Sequence, residues 1–212
     1  MRRLTIWVKQ LALRADFDFQ TRVYSRSGLS EALKRQPIAE NTLLTVMVLD
    51  IDGFKQVNDR WGHECGDCML AQFAQQVRQL VGEEGMVARI GGEEFAVAAL
   101  TSSGQEAQLL AEKIRQGIEA QTFTWGQSKI QLTISMGLES QPLGAARITD
   151  LFNQLLMAAD DYMIQAKNAG RNRIFTQKMG LNPTIRKYDD RFTCVKYKLK
   201  NIVMWSISRS YR

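Results

Sequence analysis

The sequence contains no apolar run that approaches the roughly 20 residues needed for a membrane-spanning helix. Its basic start, residues 1–3, is followed by an apolar segment that Lys9 and Gln10 interrupt. From these absences we expect a soluble cytoplasmic protein. At 212 residues, the chain is long enough for one domain with a substantial core and a short appendage.

Cysteine and histidine are also scarce, with three cysteines and a single histidine, His63. The odd number of cysteines offers no disulfide framework and fits a reducing compartment. Cys65 and Cys68, spaced C-x-x-C just after His63, could form half of a zinc site or a redox pair. A structural zinc site needs four protein ligands and the chain has no second cysteine pair, while a thioredoxin-like pair would directly follow a strand. The sequence therefore favours neither, and we interpret His63 as a packing residue near a turn.

Basic residues are in excess but unevenly placed. The net charge of the chain is +6, yet residues 178–212 alone hold nine Lys or Arg and two Asp. Residues 1–177 hold 19 basic and 20 acidic side chains and are therefore close to neutral. Because a basic footprint across the folded part is missing, we expect no nucleic-acid partner.

Two acidic clusters are present at positions from which they could converge. Residues 50–52 follow the apolar, β-branched run 43–49, which predicts a buried strand. Residues 91–94 form a Gly-Gly-Glu-Glu tip between predicted strands 87–90 and 95–98. Magnesium takes oxygen ligands from one or two carboxylates plus substrate phosphates, which a strand end facing a hairpin tip can supply. A solvated acidic hairpin is the alternative, since Gly-Gly turns flanked by acids are common.

Apolar periodicity predicts the remaining secondary structure. Helical spacing predicts a short amphipathic helix at residues 1–15 and four further helices at 30–36, 67–80, 105–120 and 150–167. Strands are predicted at 130–138 and 172–176. This order of elements predicts an α+β domain with a central, mostly antiparallel sheet flanked by helices.

Residues 50–67 read D-I-D-G-F-K-Q-V-N-D-R-W-G-H-E-C-G-D. This segment resembles the D-x-D-x-F-K-x-x-N-D-x-x-G-H-x-x-G-D segment of diguanylate cyclases, the GGDEF-domain family. Residues 18–26 are similar to the family's opening motif, and residues 159–172 to its closing A-D and A-K-x-x-G-R-N motifs. The resemblance spans about residues 16–177, which leaves 1–15 as an N-terminal stalk helix and 178–212 as a basic extension. It implies the palm-like fold of nucleotidyl cyclases.

The resemblance also implies a metal-dependent enzyme that condenses two GTP molecules into cyclic di-GMP and releases pyrophosphate. Asp50 and Glu93 would hold Mg²⁺ or Mn²⁺ together with the backbone carbonyl of Ile51. Glu94 would support the metal site or assist deprotonation of the attacking 3′-hydroxyl. Clustered carboxylates repel one another without a cation, so metal binding should stabilise the site.

Substrate contacts follow from the same resemblance. Asn58 and Asp67 would read the guanine base, because a carboxylate can accept from N1–H and the 2-amino group together. The triphosphate would be contacted by three cations, Lys55, Lys167 and Arg171, which would offset the charge on the leaving pyrophosphate. Lys55 would also be a catalytic residue. Gly91 and Gly92 would leave room for the nucleotide at the hairpin tip.

Catalysis in the family implies a homodimer, since each domain binds one nucleotide and presents it to the other. The stalk helix would join the domain to an upstream sensor or dimerisation module in a longer form. A fifteen-residue stub is a weak dimerisation device, so we expect low activity from the isolated chain.

Several positions depart from the family pattern. Many members carry an inhibitory product site, R-x-x-D, where this chain has Gly82 and Gly85, so we expect no product feedback through that site. Four other departures remove neither a predicted metal ligand nor a predicted guanine reader: Gln20, Ser25, Gly53 and Ile164.

Two other functions stay open from the sequence. A degenerate GGDEF module could bind GTP or a protein partner without turnover, although the intact acidic residues argue against it. The extension 178–212 could contact an anionic membrane or a partner through lysines that alternate with apolar residues at 195–200. A non-catalytic extension with a solvated lysine face is the favoured interpretation.

Overall fold

The structure, a computed structural model, describes residues 16–40, 42–144 and 147–177. The strands in this part of the chain are β1 Tyr24–Ser25, β2 Leu43–Ile51, β3 Gly85–Arg89, β4 Glu94–Thr101, β5 Thr122–Trp125, β6 Ser128–Gln131, β7 Ile134–Pro142 and β8 Arg173–Thr176. The helices are α1 Arg26–Leu33, α2 Phe54–Trp61, α3 His63–Val81, α4 Gly104–Ala120 and α5 Ile148–Asn168. The predicted stalk 1–15 and the alternating segment 195–200 lie outside the described residues.

The central strand of the sheet is β2, in which every residue after Leu43 is buried. A strand covered on both faces requires a nearly continuous apolar run, which residues 43–49 supply. The strand extends two residues beyond the predicted run, so Asp50 lies within it rather than after it. The acidic side chain is therefore carried by a buried strand that is paired on both sides.

Six strands form the main sheet in the order β1-β3-β4-β2-β7-β8. β2 pairs antiparallel with both β4 and β7, and β3 pairs antiparallel with β4. Both edge pairs, β1 with β3 and β7 with β8, are parallel. The predicted α+β class with a mostly antiparallel central sheet is thus confirmed.

Helices cover both faces of this sheet because successive β2 side chains point in opposite directions. Met47, Leu49 and Ile51 pack with buried residues of α3 and α4 in one cluster. Val46 and Val48 pack with buried residues of α1 and α5 in the other. The short helix α2, which the sequence did not predict, buries only Phe54.

The predicted strand 130–138 was wrong, because two strands occupy this range. β6 pairs with β5 in a separate two-stranded ribbon, and β7 starts at Ile134 in the main sheet. Between them, the Thr133 carbonyl accepts a hydrogen bond of 2.9 Å from the Asp52 amide. Apolar residues alternate without interruption across the break at Ile130, Leu132 and Ile134, so the pattern could not show the change of pairing partner.

Helix α1 begins four residues earlier than predicted and ends before Pro37. Its start is fixed by Ser25, whose hydroxyl accepts a hydrogen bond of 3.0 Å from the Gly28 amide. α3 likewise begins four residues earlier than predicted, at His63, directly after Gly62, whose φ is 84°. Residues 54–81 are therefore two helices separated by a glycine.

Candidate active site

Asp50 is a nearly fully buried carboxylate at the centre of the candidate site, with 3% of its surface exposed. In the sheet it lies opposite Glu94 on one side and Ser135 on the other. Its Oδ2 accepts from the Lys167 ammonium at 2.6 Å. Its Oδ1 is buried and has no hydrogen-bond partner among the residues that the structure describes.

The electrostatics around Asp50 favour a cation. Burial raises the pKa of Asp50 to about 6, although the hydrogen bond and the charge of Lys167 oppose this shift. The nearby carboxylates of Glu93 and Glu94 also contribute to this raised pKa. A buried carboxylate oxygen without a donor is costly, and a divalent ion would remove that cost.

Hydrogen bonds bring the glycine hairpin against the end of β2. The Ile51 amide of β2 donates to the Glu93 carbonyl at 3.4 Å, and within the hairpin itself the Ile90 amide donates to the Glu94 carbonyl at 2.9 Å. The structure therefore brings together Asp50, Ile51 and Glu93, the three residues predicted to hold a metal. Their role as ligands stays a prediction.

No three His, Cys, Asp or Glu side chains within the described ranges form a ready metal site on their own. The predicted set does not require three, because it uses two carboxylates and a backbone carbonyl and leaves other positions to phosphate oxygens.

Cys65 and Cys68 are free thiols on α3, and burial raises the pKa of Cys65. The Cys68 sulfur accepts from the Gln72 amide at 3.1 Å.

The two motif glycines have different surroundings. A methyl group at Gly91 would overlap the carboxylate of Glu94, which lies over the glycine. A methyl group at Gly92 would meet no atom within 4 Å. Gly91 thus gives space to a side chain of the site itself, whereas Gly92 leaves an open surface beside it.

Arg89 holds the hairpin tip and was missed in the sequence. Its guanidinium donates to the Gly92 carbonyl through Nη2 at 2.7 Å and through Nε at 3.0 Å. Its Nη1 donates to Gln20 at 2.5 Å and to Asp18 at 3.3 Å. The sequence did place an arginine within the apolar strand before the glycines, and the structure shows that its side chain is largely buried. A buried arginine usually has a specific partner.

The residues predicted to read guanine lie on α2 and α3. Asn58 is half-buried and Asp67 is exposed. Gly66 lets the two helices meet here, because a methyl group at this position would overlap the Asn58 side-chain oxygen. Lys55 is exposed in the first turn of α2.

Asp52, one residue beyond Ile51, accepts three hydrogen bonds. Its carboxylate accepts from the Ser135 hydroxyl at 2.6 Å, the Thr133 hydroxyl at 2.8 Å and the Asn172 amide at 3.0 Å. Arg171, predicted to contact the triphosphate, directly precedes Asn172 and is exposed. Asp52 therefore ties the end of β2 to the turn that carries Arg171.

Comparison with known proteins decides the family. Residues 15–173 match the family model described as diguanylate cyclase, GGDEF domain. The chain belongs to the GGDEF family. No helix in the described part of this GGDEF chain is both long and apolar enough to cross a membrane.

The GGDEF chain is 51% identical over 173 residues to the probable diguanylate cyclase DgcF of Escherichia coli K12. The alignment covers 82% of this chain and 55% of DgcF, so the chain spans about half the length of that relative. Its fold is similar to the crystal structure of the coiled coil and GGDEF domain of DgcB from Caulobacter crescentus in complex with c-di-GMP. The TM-score is 0.70 at 25% identity, covering 82% of this chain and 92% of that one.

The diguanylate cyclase SiaD from Pseudomonas aeruginosa, solved in complex with its activator SiaC, is also similar. Its TM-score is 0.66 at 28% identity, over 82% of this chain and 67% of SiaD. These likenesses confirm the predicted family and fold. As a GGDEF diguanylate cyclase domain, the chain is expected to depend on a divalent metal.

Proposed function

We propose that this GGDEF domain is a diguanylate cyclase, which joins two GTP molecules into cyclic di-GMP and releases two pyrophosphates. The observation that carries the proposal is the buried Asp50, whose Oδ1 has no donor in the described part of the chain. The acidic hairpin tip beside it raises the cost of its charge. A bound cation accounts for this arrangement, and the similarity to DgcF supports the reaction.

The cation would be Mg²⁺ or Mn²⁺, held by Asp50, Glu93 and the Ile51 carbonyl. All three donors are hard oxygen ligands, which suit both ions. The ion would neutralise charge on the triphosphate and lower the barrier to phosphoryl transfer. Glu94, opposite Asp50 in the sheet, would support this site or accept the proton of the attacking 3′-hydroxyl.

Substrate binding would use residues of α2 and α3, the end of α5 and the turn after it. Lys167 already lies against Asp50, and the exposed Lys55 and Arg171 would add two more cations for the triphosphate. Asn58 and Asp67 would read the guanine edge from the α2 and α3 junction. Gly66 fixes the approach of these helices and so supports this assignment.

Catalysis would require two copies of the domain, because two bound GTP molecules must face each other. Each copy would supply one nucleotide and one set of metal ligands. An upstream module that brings the copies together, in a protein as long as DgcF, remains part of the proposal. The division into a stalk 1–15, the domain 16–177 and the extension 178–212 belongs to the proposal as well.

Incubation of the purified protein with GTP and magnesium should yield cyclic di-GMP, detected by chromatography. Glu93→Gln keeps the size of the side chain but removes a proposed ligand. It should lower the rate at least about 100-fold, since several kcal/mol of charge stabilisation are lost. Glu31→Gln, the same change at an exposed glutamate on α1, should leave the rate within about twofold. No product from a preparation shown to be dimeric would favour a module that binds GTP without turnover.

A further inference from the structure

Asp52 belongs to the acidic cluster 50–52, but its carboxylate accepts three hydrogen bonds from other residues of the domain. Ser135 donates to its Oδ1, and Thr133 and the Asn172 amide donate to its Oδ2. Asp50, two residues earlier, instead has a buried oxygen with no donor among the described residues. The two carboxylates therefore have different tasks, and that of Asp52 is to hold the turn after α5.

Asn172 is held from three directions. Its backbone amide donates to Asp52 at 3.0 Å, and its side-chain oxygen accepts from Arg115 at 2.8 Å. Its side-chain amide donates to Glu119 at 2.7 Å. Arg115 is itself paired with Glu112 at 2.7 Å and with Glu119 at 2.8 Å. Asp52 on one side and these α4 residues on the other therefore form a clamp around Asn172.

The backbone at this turn needs such a clamp. Arg171 and Asn172 are consecutive residues with positive φ, 64° and 45°, and neither is glycine. Side chains make this conformation unfavourable, and it persists only where the surroundings impose it. The Arg171 amide also donates to the Ala166 carbonyl at 3.0 Å, and its carbonyl accepts from Arg173 at 2.8 Å.

The end of α5 and the turn after it carry Lys167 and Arg171, two of the three cations predicted to contact the triphosphate. Lys167 pairs with Asp50, and the turn that holds Arg171 is tied to Asp52. Asp50 thus contacts Lys167 itself, and Asp52 contacts the backbone of the residue that follows Arg171.

We propose that Asp52 and Asn172 are positioning residues that hold Arg171 in its left-handed turn and so direct its guanidinium to the triphosphate. The inference rests on the proposed function, because it assumes that GTP binds at this site. Its consequence is selective: loss of the clamp weakens contacts to the β- and γ-phosphates and leaves guanine recognition unchanged.

The test measures binding of GMP and of a GTP analogue with a non-hydrolysable α–β linkage, by calorimetry with magnesium present. Asn172→Ala should weaken binding of the analogue about tenfold and leave GMP within about twofold. Asp52→Asn should act in the same direction. In an Arg171→Ala background, Asn172→Ala should have almost no further effect, because both changes remove the same contact.

Asn153→Ala, at an exposed position near the start of α5, is the matched control and should change neither affinity. If Asn172→Ala does not fold, Asn172→Gly carries the comparison, since glycine adopts positive φ freely. Equal losses of affinity for GMP and for the analogue would overturn the inference alone. The inference would also be overturned if the effects of Asn172→Ala and Arg171→Ala on affinity for the analogue multiply. A wild-type protein that binds neither nucleotide would overturn the proposed function and the inference with it.

Discussion

At the scale of single residues, the two oxygens of Asp50 differ in a way that determines the electrostatics of the site. One oxygen pairs with Lys167, and the other is buried without a donor in the described part of the chain. Lys167 alone therefore does not satisfy the carboxylate. Without a further cation, the neutral form of Asp50 is favoured to an unusually high pH.

This difference predicts how stability depends on pH when metal is removed. Because the folded pKa of about 6 lies above the ordinary aspartate pKa of 3.8, the folded state binds this proton more tightly than the unfolded state. The stability that protonated Asp50 contributes is present at low pH and is lost as pH rises through about 6. In EDTA, the free energy of unfolding of the wild type should fall relative to Asp50→Asn between about pH 4 and pH 7, by at most about 3 kcal/mol.

Urea denaturation of both proteins at several pH values measures this difference. Magnesium added at neutral pH should recover stability for the wild type and have little effect on Asp50→Asn. Unfolding free energies that stay parallel across this pH range would show that Asp50 is ionised and satisfied without a metal.

At the scale of elements, the position of the cations depends on how closely α5 approaches β7. Gly137 on β7 lies directly under α5, and a methyl group there would overlap the Ala159 carbonyl and the Met163 amide nitrogen. Both of these are backbone atoms, which cannot move without displacing the helix. This contact sets the depth of the helix whose last turn carries Lys167 and leads to Arg171.

Gly137→Ala should therefore destabilise the domain by about 1–3 kcal/mol or more, since overpacking here moves a backbone. Gly144→Ala is the matched control, because a methyl group at Gly144 would meet no atom within 4 Å. Chemical denaturation should show a lower midpoint for Gly137→Ala and a change within about 0.5 kcal/mol for the control. Equal stabilities would mean that α5 can shift without cost.

The start of β3 gives a second prediction at this scale. Gly82 has a φ of 60°, and a Cβ at Gly85 would lie 2.7 Å from the Ala98 carbonyl oxygen. The positions of the family's R-x-x-D product site therefore hold glycines in backbone settings that oppose larger side chains. Added cyclic di-GMP should produce no non-competitive inhibition in steady-state assays. The double variant Gly82→Arg, Gly85→Asp should not acquire product inhibition either. Non-competitive inhibition of the wild type at low cyclic di-GMP concentration would contradict the prediction.

Local patterns were enough to predict β2 and the β3–β4 hairpin, because a buried apolar run and a Gly-Gly tip specify them without distant partners. The break at Leu132 and Thr133 could not be predicted, since the alternation of apolar residues continues through it. The tasks of Asp52 and Arg89 were also missed. Asp52 depends on Asn172, which is 120 residues away in the chain, and no local pattern records that contact.

At the scale of the whole molecule, the match to the family ends at residue 173, before the basic extension begins. The excess positive charge lies in residues 178–212, while residues 1–177 are close to neutral. The chain also spans only about half of DgcF. Under the proposed mechanism, activity depends on the encounter of two copies, and residues 1–177 of each copy carry little net charge to attract the other.

That dependence predicts how activity responds to dilution and to mixing. If each product molecule requires two competent half-sites, specific activity should rise with protein concentration until dimers are saturated. At fixed total protein, an equal mixture of wild type and Glu93→Gln should retain about one quarter of the wild-type activity, because only dimers of two wild-type copies are competent. Glu31→Gln mixed in the same ratio should cause no loss. Retention of half the activity, together with a specific activity that does not change on dilution, would mean that a single copy completes the reaction and that the paired half-site mechanism is wrong.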